Sequence, residues 1–408
     1  MQPGRCVGAI VLVATVPVAA QEVSPEELKA IEKATAADAT AATKAAPPPA
    51  PAPPPAAGGG AFFTMLPDIS VILDTALAAY TVQDPLQQGG HDPAKNGFNL
   101  QQLELALAKT VDPYFRFDAN LVFGADGFEL EEAYATTLAL PANLQLRAGQ
   151  FLTRFGRINA THPHTWDFVD QPFALSRIFG GDGNRGLGLE ASWLAPLPWF
   201  VELDVSANQA DGEGTMRSFY GANDLGVHGP QDFLYTGALK QFFALSDDWS
   251  VYFGLSYANG PNSTAKGNRT DVFGADLYLK FRPITYGSYT IVSLQSEVFV
   301  RRRQVLDDNT LSDVDMYAYL FWRFDRRWGT AARYEYGSRT FGDVADDLDP
   351  YWTGARHRVS ANLTFWPTEF SRLRLQGSVD APSWLDKPTL AAMLAFEVVV
   401  GTHGAHKF

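Results

Sequence analysis

Asn143-Leu144-Gln145-Leu146-Arg147-Ala148-Gly149-Gln150-Phe151-Leu152 begins as alternating polar and apolar side chains. Thr153-Arg154-Phe155-Gly156-Arg157-Ile158-Asn159-Ala160-Thr161-His162-Pro163-His164-Thr165-Trp166-Asp167-Phe168 then abandons that period. Regular alternation resumes only at Arg185, after Gly180-Gly181-Asp182-Gly183-Asn184. The first run reads as a strand. The connection 153–184 is far longer than an ordinary turn, and such segments are either functional or disordered. Its aromatic, Ile, Leu and Val content argues for a folded one.

Outward from this stretch the period is two almost everywhere from Ile69 onward. It predicts sixteen strands, at 69–81, 97–111, 113–124, 127–139, 142–152, 185–194, 198–208, 232–244, 248–258, 270–282, 287–303, 314–325, 327–339, 355–366, 369–380 and 390–401. Short turns such as Leu140-Pro141-Ala142-Asn143, Ala195-Pro196-Leu197-Pro198 and Asp325-Arg326-Arg327 alternate with long connections at 82–96, 153–184, 209–231, 259–269, 304–313, 340–354 and 381–389. Only Gly124-Ala125-Asp126-Gly127 among the second set is tight. Short inner turns and long outer loops are the signature of an outer-membrane barrel. Trp193, Trp199, Trp249, Phe281, Phe324, Trp328 and Phe365-Trp366 collect beside the short turns, as an interfacial aromatic girdle does. The fold class is therefore all-β, a transmembrane antiparallel β-barrel of sixteen strands.

Alternation also sorts each strand into two faces. A charged side chain at the lipid midplane costs about 2–4 kcal/mol, so the charged face must look inward. That makes Arg116 and Asp118 channel-lining, followed by Glu131, Arg147, Glu190, Glu202 and Asp204 on the next strands. Further round, Lys280, Arg282, Glu297, Arg301 and Arg323 line the wall, and then Arg333, Arg358, Arg372 and Arg374. Acidic residues dominate one side and arginines the other, an arrangement that either sets a field across the lumen or pairs across strands and solvates it. So many charges predict a wet channel rather than a packed core. The acidic outer loops, with Asp343, Asp346, Asp347 and Asp349 in one, read as solvated charge or as sites for cations between headgroups.

The chain begins with one positive charge, an apolar run Val7–Val18 and Val18-Ala19-Ala20 before Gln21, a signal peptide over 1–20. Residues 21–60 are Ala- and Pro-rich, ending in Gly58-Gly59-Gly60, and read as a periplasmic linker that could contact the cell wall, its first part from Glu26 to Ala46 either a short helix or disordered. The barrel occupies 61–408. The only cysteine, Cys6, falls in the signal segment, which excludes thiol chemistry and disulfides from the mature chain. A net charge of −13 argues against nucleic acid as a partner. Outer-membrane lipid is the expected surroundings, and no cofactor is expected.

Within the long connection, Arg154, Arg157, Trp166 and Asp167 are candidates for a constriction. His162, His164 and Asp167 are the one close group of metal-ligand types, though Pro163 holds the histidines apart and no fourth ligand stands out. Catalysis finds no support. His357 and Ser360 fall on opposite strand faces, and GxSxG and P-loop motifs are absent.

Leu130-Glu131-Glu132-Ala133-Tyr134 and Leu146-Arg147-Ala148-Gly149-Gln150-Phe151-Leu152-Thr153-Arg154-Phe155-Gly156 resemble paired segments of the phosphate-selective porin O and P family. That resemblance implies a homotrimeric, sixteen-stranded channel with an inward-folded loop and basic residues at the pore. Phe155-Gly156-Arg157-Ile158-Asn159 through His162-Pro163-His164 is similar to barrels labelled zinc-regulated outer-membrane receptors, which implies metal uptake. Phe408 resembles the terminal aromatic that the barrel-assembly machinery recognises, with His403 and His406 nearby. The expected function is passive diffusion of small hydrophilic solutes or ions across the bacterial outer membrane, with 153–184 narrowing the lumen. The alternatives are a zinc-uptake receptor and a structural barrel anchoring the envelope.

Overall fold

A computed structural model describes residues 67–124, 127–223, 225–284 and 289–401. The signal segment 1–20, the linker 21–60, His403, His406 and Phe408 lie outside the described residues. Sixteen strands follow one another: β1 (Asp68–Tyr80), β2 (Gly97–Thr110), β3 (Phe115–Phe123), β4 (Phe128–Thr137), β5 (Leu144–Leu152), β6 (Arg185–Leu194), β7 (Phe200–Gln209) and β8 (Phe233–Ala244). The second half is β9 (Trp249–Pro261), β10 (Arg269–Phe281), β11 (Ile291–Gln304), β12 (Thr310–Arg323), β13 (Trp328–Gly337), β14 (Arg356–Thr368), β15 (Ser371–Pro382) and β16 (Thr389–Gly401). Every strand pairs antiparallel with its sequence neighbours, and β16 returns to β1 through pairs from Ser70↔Gly401 to Tyr80↔Ala391. Closure leaves no edge with unpaired backbone groups.

The two faces separate as alternation requires. On β14, Arg358, Ser360, Asn362 and Thr364 are buried, while Val359 and Leu363 between them are exposed. His357 points outward to the Tyr334 hydroxyl at 2.8 Å, away from Ser360.

The register is interrupted three times among the described strands, at Phe365/Thr368 between β14 and β15 and at two bulges that redirect side chains. Between β3 and β4 the register steps from Asn120↔Glu132 to Leu121↔Leu130, leaving Glu131 unpaired. Strict alternation would send Glu132 toward lipid. The extra residue instead lets Glu131 and Glu132 both turn inward, where they are 4% and 5% exposed. The step from Asp74↔Gln102 to Thr75↔Leu100 does the same for Gln101 and Gln102, which are both buried.

The long connection between β5 and β6, which leaves the strand period in sequence but carries the content of a folded segment, has local structure of its own. It contains 3-10 turns at Ile158–Ala160 and Pro163–Thr165 and a short helix, α1 (Phe173–Phe179). Pro172 precedes α1, and Gly180 ends it with φ +102. All seven α1 side chains are buried, so this helix is enclosed on every side.

The expectation of a wholly wet interior also needs correction. Phe155, Ile158, Phe168, Leu175, Ile178 and Phe179 of this segment pack with Met216, Phe219, Phe299 and Tyr317 into one buried apolar cluster. Phe299 and Tyr317 belong to the wall, so apolar packing coexists with charge there.

Candidate functional site

The segment 153–184 makes polar contacts with inward-facing residues on opposite sides of the barrel, and its charges match each side. Toward β6 and β7, Arg154 reaches Glu190 at 3.2 Å, Glu202 at 2.8 Å and Asp204 at 3.2 Å. Arg147 of β5 approaches Glu190 at 2.9 Å, with its guanidinium 4.2 Å from the Phe151 ring centroid and 4.8 Å from that of Tyr134. Toward β4, His162 meets Glu131 through Nδ1 at 3.1 Å and Glu132 through Nε2 at 2.9 Å. His164 stacks on His162 and reaches Glu104 of β2 at 3.0 Å. The cationic part of the segment thus faces the acidic wall.

The opposite wall treats the segment in the converse way. Arg372 donates to the carbonyls of Trp166 at 2.9 Å and His164 at 2.8 Å. Arg374 donates to those of Trp166 at 2.9 Å and Phe168 at 2.6 Å. Arg333 and Arg358 take the carbonyls of Asp170 at 2.9 Å and Gln171 at 2.8 Å. The Asp170 carboxylate accepts from Arg333 at 2.6 Å and pairs with Arg358 at 3.2 Å. Wall acceptors take the segment's backbone amides: Glu297 that of Ile158 at 2.7 Å, Gln376 that of Val169 at 2.8 Å, and Glu335 that of Phe173 at 2.8 Å. An enclosed backbone group without such a partner would be costly. Much of the predicted basic arc therefore holds backbone rather than facing open lumen.

Electrostatics follow from this embedding. Burial alone would raise the pKa of Asp170, but Arg333 and Arg358 hold it well below the usual carboxylate range. Burial opposes protonation of His162, yet Glu131, Glu104 and Glu132 raise its pKa well above the ordinary value. His91, in the β1–β2 connection, behaves alike: burial lowers it, Glu131 raises it, and the result is about 9.

The remaining predicted residues separate into groups. Arg301 pairs with Asp313 at 2.6 Å and with Asp349 at 3.3 Å. Asp349 also binds Arg217 at 2.9 Å and Arg177 at 3.4 Å, and Arg177 reaches Asp315 at 3.0 Å. Asp349, expected as solvated loop charge, is instead buried, and Asp346 is bonded to Arg303. Arg116 and Asp118 pair with each other at 2.8 Å and stay partly exposed. Arg282 lies just beyond β10 and is exposed, a rim residue rather than a wall residue. Arg323, at the end of β12, lies with its guanidinium 4.8 Å from the Trp366 ring centroid.

The metal grouping does not assemble. His162 and His164 turn to glutamates, whereas Asp167 turns to Tyr319 and the arginine side. Among the described residues no three histidine or acidic side chains are arranged to hold an ion.

Beneath the segment, toward the short-turn end, lies a cavity of about 550 Å³. Arg157, Trp166, Asp167 and Phe168 of the segment and Tyr278, Lys280, Tyr319 and Phe321 of the wall are among its lining residues. Arg157, Trp166, Asp167 and Lys280 were predicted from sequence. Glu132 and Gln101 were not, because nothing local announces a bulge, while Glu104 was legible from the alternation of β2 and was overlooked.

No family model matches the sequence. A protein of Aquifex aeolicus (strain VF5) described as uncharacterized is 33% identical over 389 residues, covering 84% of this chain and 80% of that one. Among solved structures, the outer-membrane channel DcaP of Acinetobacter baumannii superposes with a TM-score of 0.57 at 12% identity, covering 82% of this chain and 97% of that one. OprB of Pseudomonas putida gives 0.52 at 11%, covering 82% and 94%. An anion-selective porin from Comamonas acidovorans gives 0.51 at 11%, covering 82% and 99%. At these identities the likeness is one of fold, and the fold is that of outer-membrane porins.

Proposed function

We propose that this chain, which belongs to the same family as the Aquifex aeolicus protein, is an outer-membrane porin-type channel for small hydrophilic solutes or ions, with 153–184 as its constriction. The observation that carries the reading is the match between segment and walls. Arg154 and His162 face Glu190, Glu202, Glu131 and Glu132, while carbonyls from His164 to Gln171 face Arg333, Arg358, Arg372 and Arg374. A segment bonded to both walls narrows whatever path runs between them. The reading is non-enzymatic and needs no cofactor. Metal uptake has less support, because His162, His164 and Asp167 do not converge. A homotrimer is part of the proposal, by analogy with porins of this fold.

Purified protein in a planar bilayer tests it. Stepwise open-state currents are expected, and a variant with 158–178 replaced by a short glycine-serine linker should conduct several-fold more. A wild-type barrel that stays silent, with the shortened variant silent too, would sink the reading.

A further inference from the structure

We infer that the cavity beneath the segment is a binding subsite for a small aromatic monocarboxylate, with Arg157 as the residue that takes the carboxylate. The inference deepens the channel reading and rests on it only for the route by which a ligand arrives. Arg154, Arg177, Arg333, Arg358 and Arg372 all have carboxylate partners within ion-pair distance. Arg157 makes no ion pair among the described residues. Its Nε donates to the Gln295 amide oxygen at 3.0 Å, and its guanidinium carbon sits 3.9 Å from the centroid of the Tyr278 ring. Those two contacts fix the plane of the group. Both terminal nitrogens then have no protein acceptor among the described residues, on a side chain that lines the cavity. A guanidinium held in that manner presents a preorganised fork to a carboxylate.

The rest of the lining chooses the kind of anion. Trp166, Phe168, Tyr278, Tyr319 and Phe321 contribute rings, which suits a planar apolar body. Of the other charged lining residues, Arg333 pairs with Asp170 and Arg372 with Glu397, while Lys280 adds one positive charge and Asp167 one negative, so with Arg157 a single negative charge on the ligand balances the site better than two. A volume of about 550 Å³ is within the range of small-molecule pockets.

Isothermal titration of the full chain in detergent with benzoate, benzyl alcohol and inorganic phosphate reads the proposal without requiring conduction. Benzoate should saturate one site per chain, with the other two at least tenfold weaker. Arg157→Gln should weaken benzoate about tenfold, the loss expected for one charge-assisted contact. Arg302→Gln, at an exposed position on β11, should leave it unchanged. Wild-type benzoate affinity in Arg157→Gln, or equal binding of benzyl alcohol or phosphate, overturns the subsite. If Arg157→Gln fails to fold, Ser293→Trp fills the cavity from the wall instead and should abolish benzoate binding, and retained binding would count against the subsite equally. Benzoate binding by a barrel silent in bilayers would leave the subsite standing and overturn the channel reading. Conduction with no benzoate binding would do the reverse.

Discussion

Glu132 of β4 lies 2.9 Å from Nε2 of His162, although simple alternation along β4 would turn that carboxylate toward lipid. The unpaired Glu131 before it shifts the phase of the strand, and two adjacent glutamates close on one imidazole. A side chain of the connecting segment is thereby tied to a wall through both of its nitrogens.

That tie makes docking of the segment depend on pH. His162 is faced by Glu131 and Glu132 of β4, Glu104 of β2 and Asn120 of β3, with His164 stacked beside it. Its pKa, and that of His91, are raised from 6.5, so their stabilisation is complete below pH 6.5 and is lost as pH rises through the raised values. For His91 that value is about 9. Protease sensitivity of 153–184 should therefore increase as pH rises above 6.5 through the raised values, and His162→Gln should flatten that rise. An unchanged profile in that variant would remove His162 from the explanation.

Arg154 answers three carboxylates at once. Arg154→Gln should leave Glu190, Glu202 and Asp204 undercompensated and shift permeation toward cations. The reversal potential in a tenfold KCl gradient should move by several millivolts in the cation-selective direction. No movement would mean that permeating ions do not sense this wall.

Gly156 combines φ +59 with a close approach, since an added Cβ would lie 2.2 Å from Glu297 Oε2. Its amide also donates to Ser256 Oγ at 3.0 Å. Gly156→Ala should cost about 1–3 kcal/mol of segment docking, from backbone strain and displacement of Glu297. Faster hydrogen exchange at Ile158, whose amide Glu297 accepts, is the measurement.

Arg177 is fully buried and binds Asp315 and Asp349. Removing one partner of buried charges leaves the others uncompensated, so Arg177→Met should destabilise the outer half of the barrel by about 3–5 kcal/mol. The temperature at which the heat-modifiable gel band converts should fall. Arg177→Lys should recover only part of it, because an ammonium cannot present the same fork.

The number of strands, their approximate positions and most of their inward faces were legible in the sequence because each is local, although β11 and β12 begin four residues from where alternation put them. Alternation such as Arg358, Ser360, Asn362 and Thr364 against Val359 and Leu363 needs only the pleat and the cost of charge in lipid. The length and aromatic content of 153–184 likewise marked it as a folded segment. Where its residues go was decided by tertiary structure alone. Arg372 meets the carbonyl of Trp166 across 206 positions of chain, and Arg177 meets Asp349 across 172, partners that no local period relates. The bulge at Glu131 belongs to the same class, since it arises from the register of β4 against β3. Local chemistry built the wall and its two faces. Long-range complementarity between that wall and the segment within it decided which charges stay open to a solute, with Arg157 the arginine of the segment that has no carboxylate partner among the described residues.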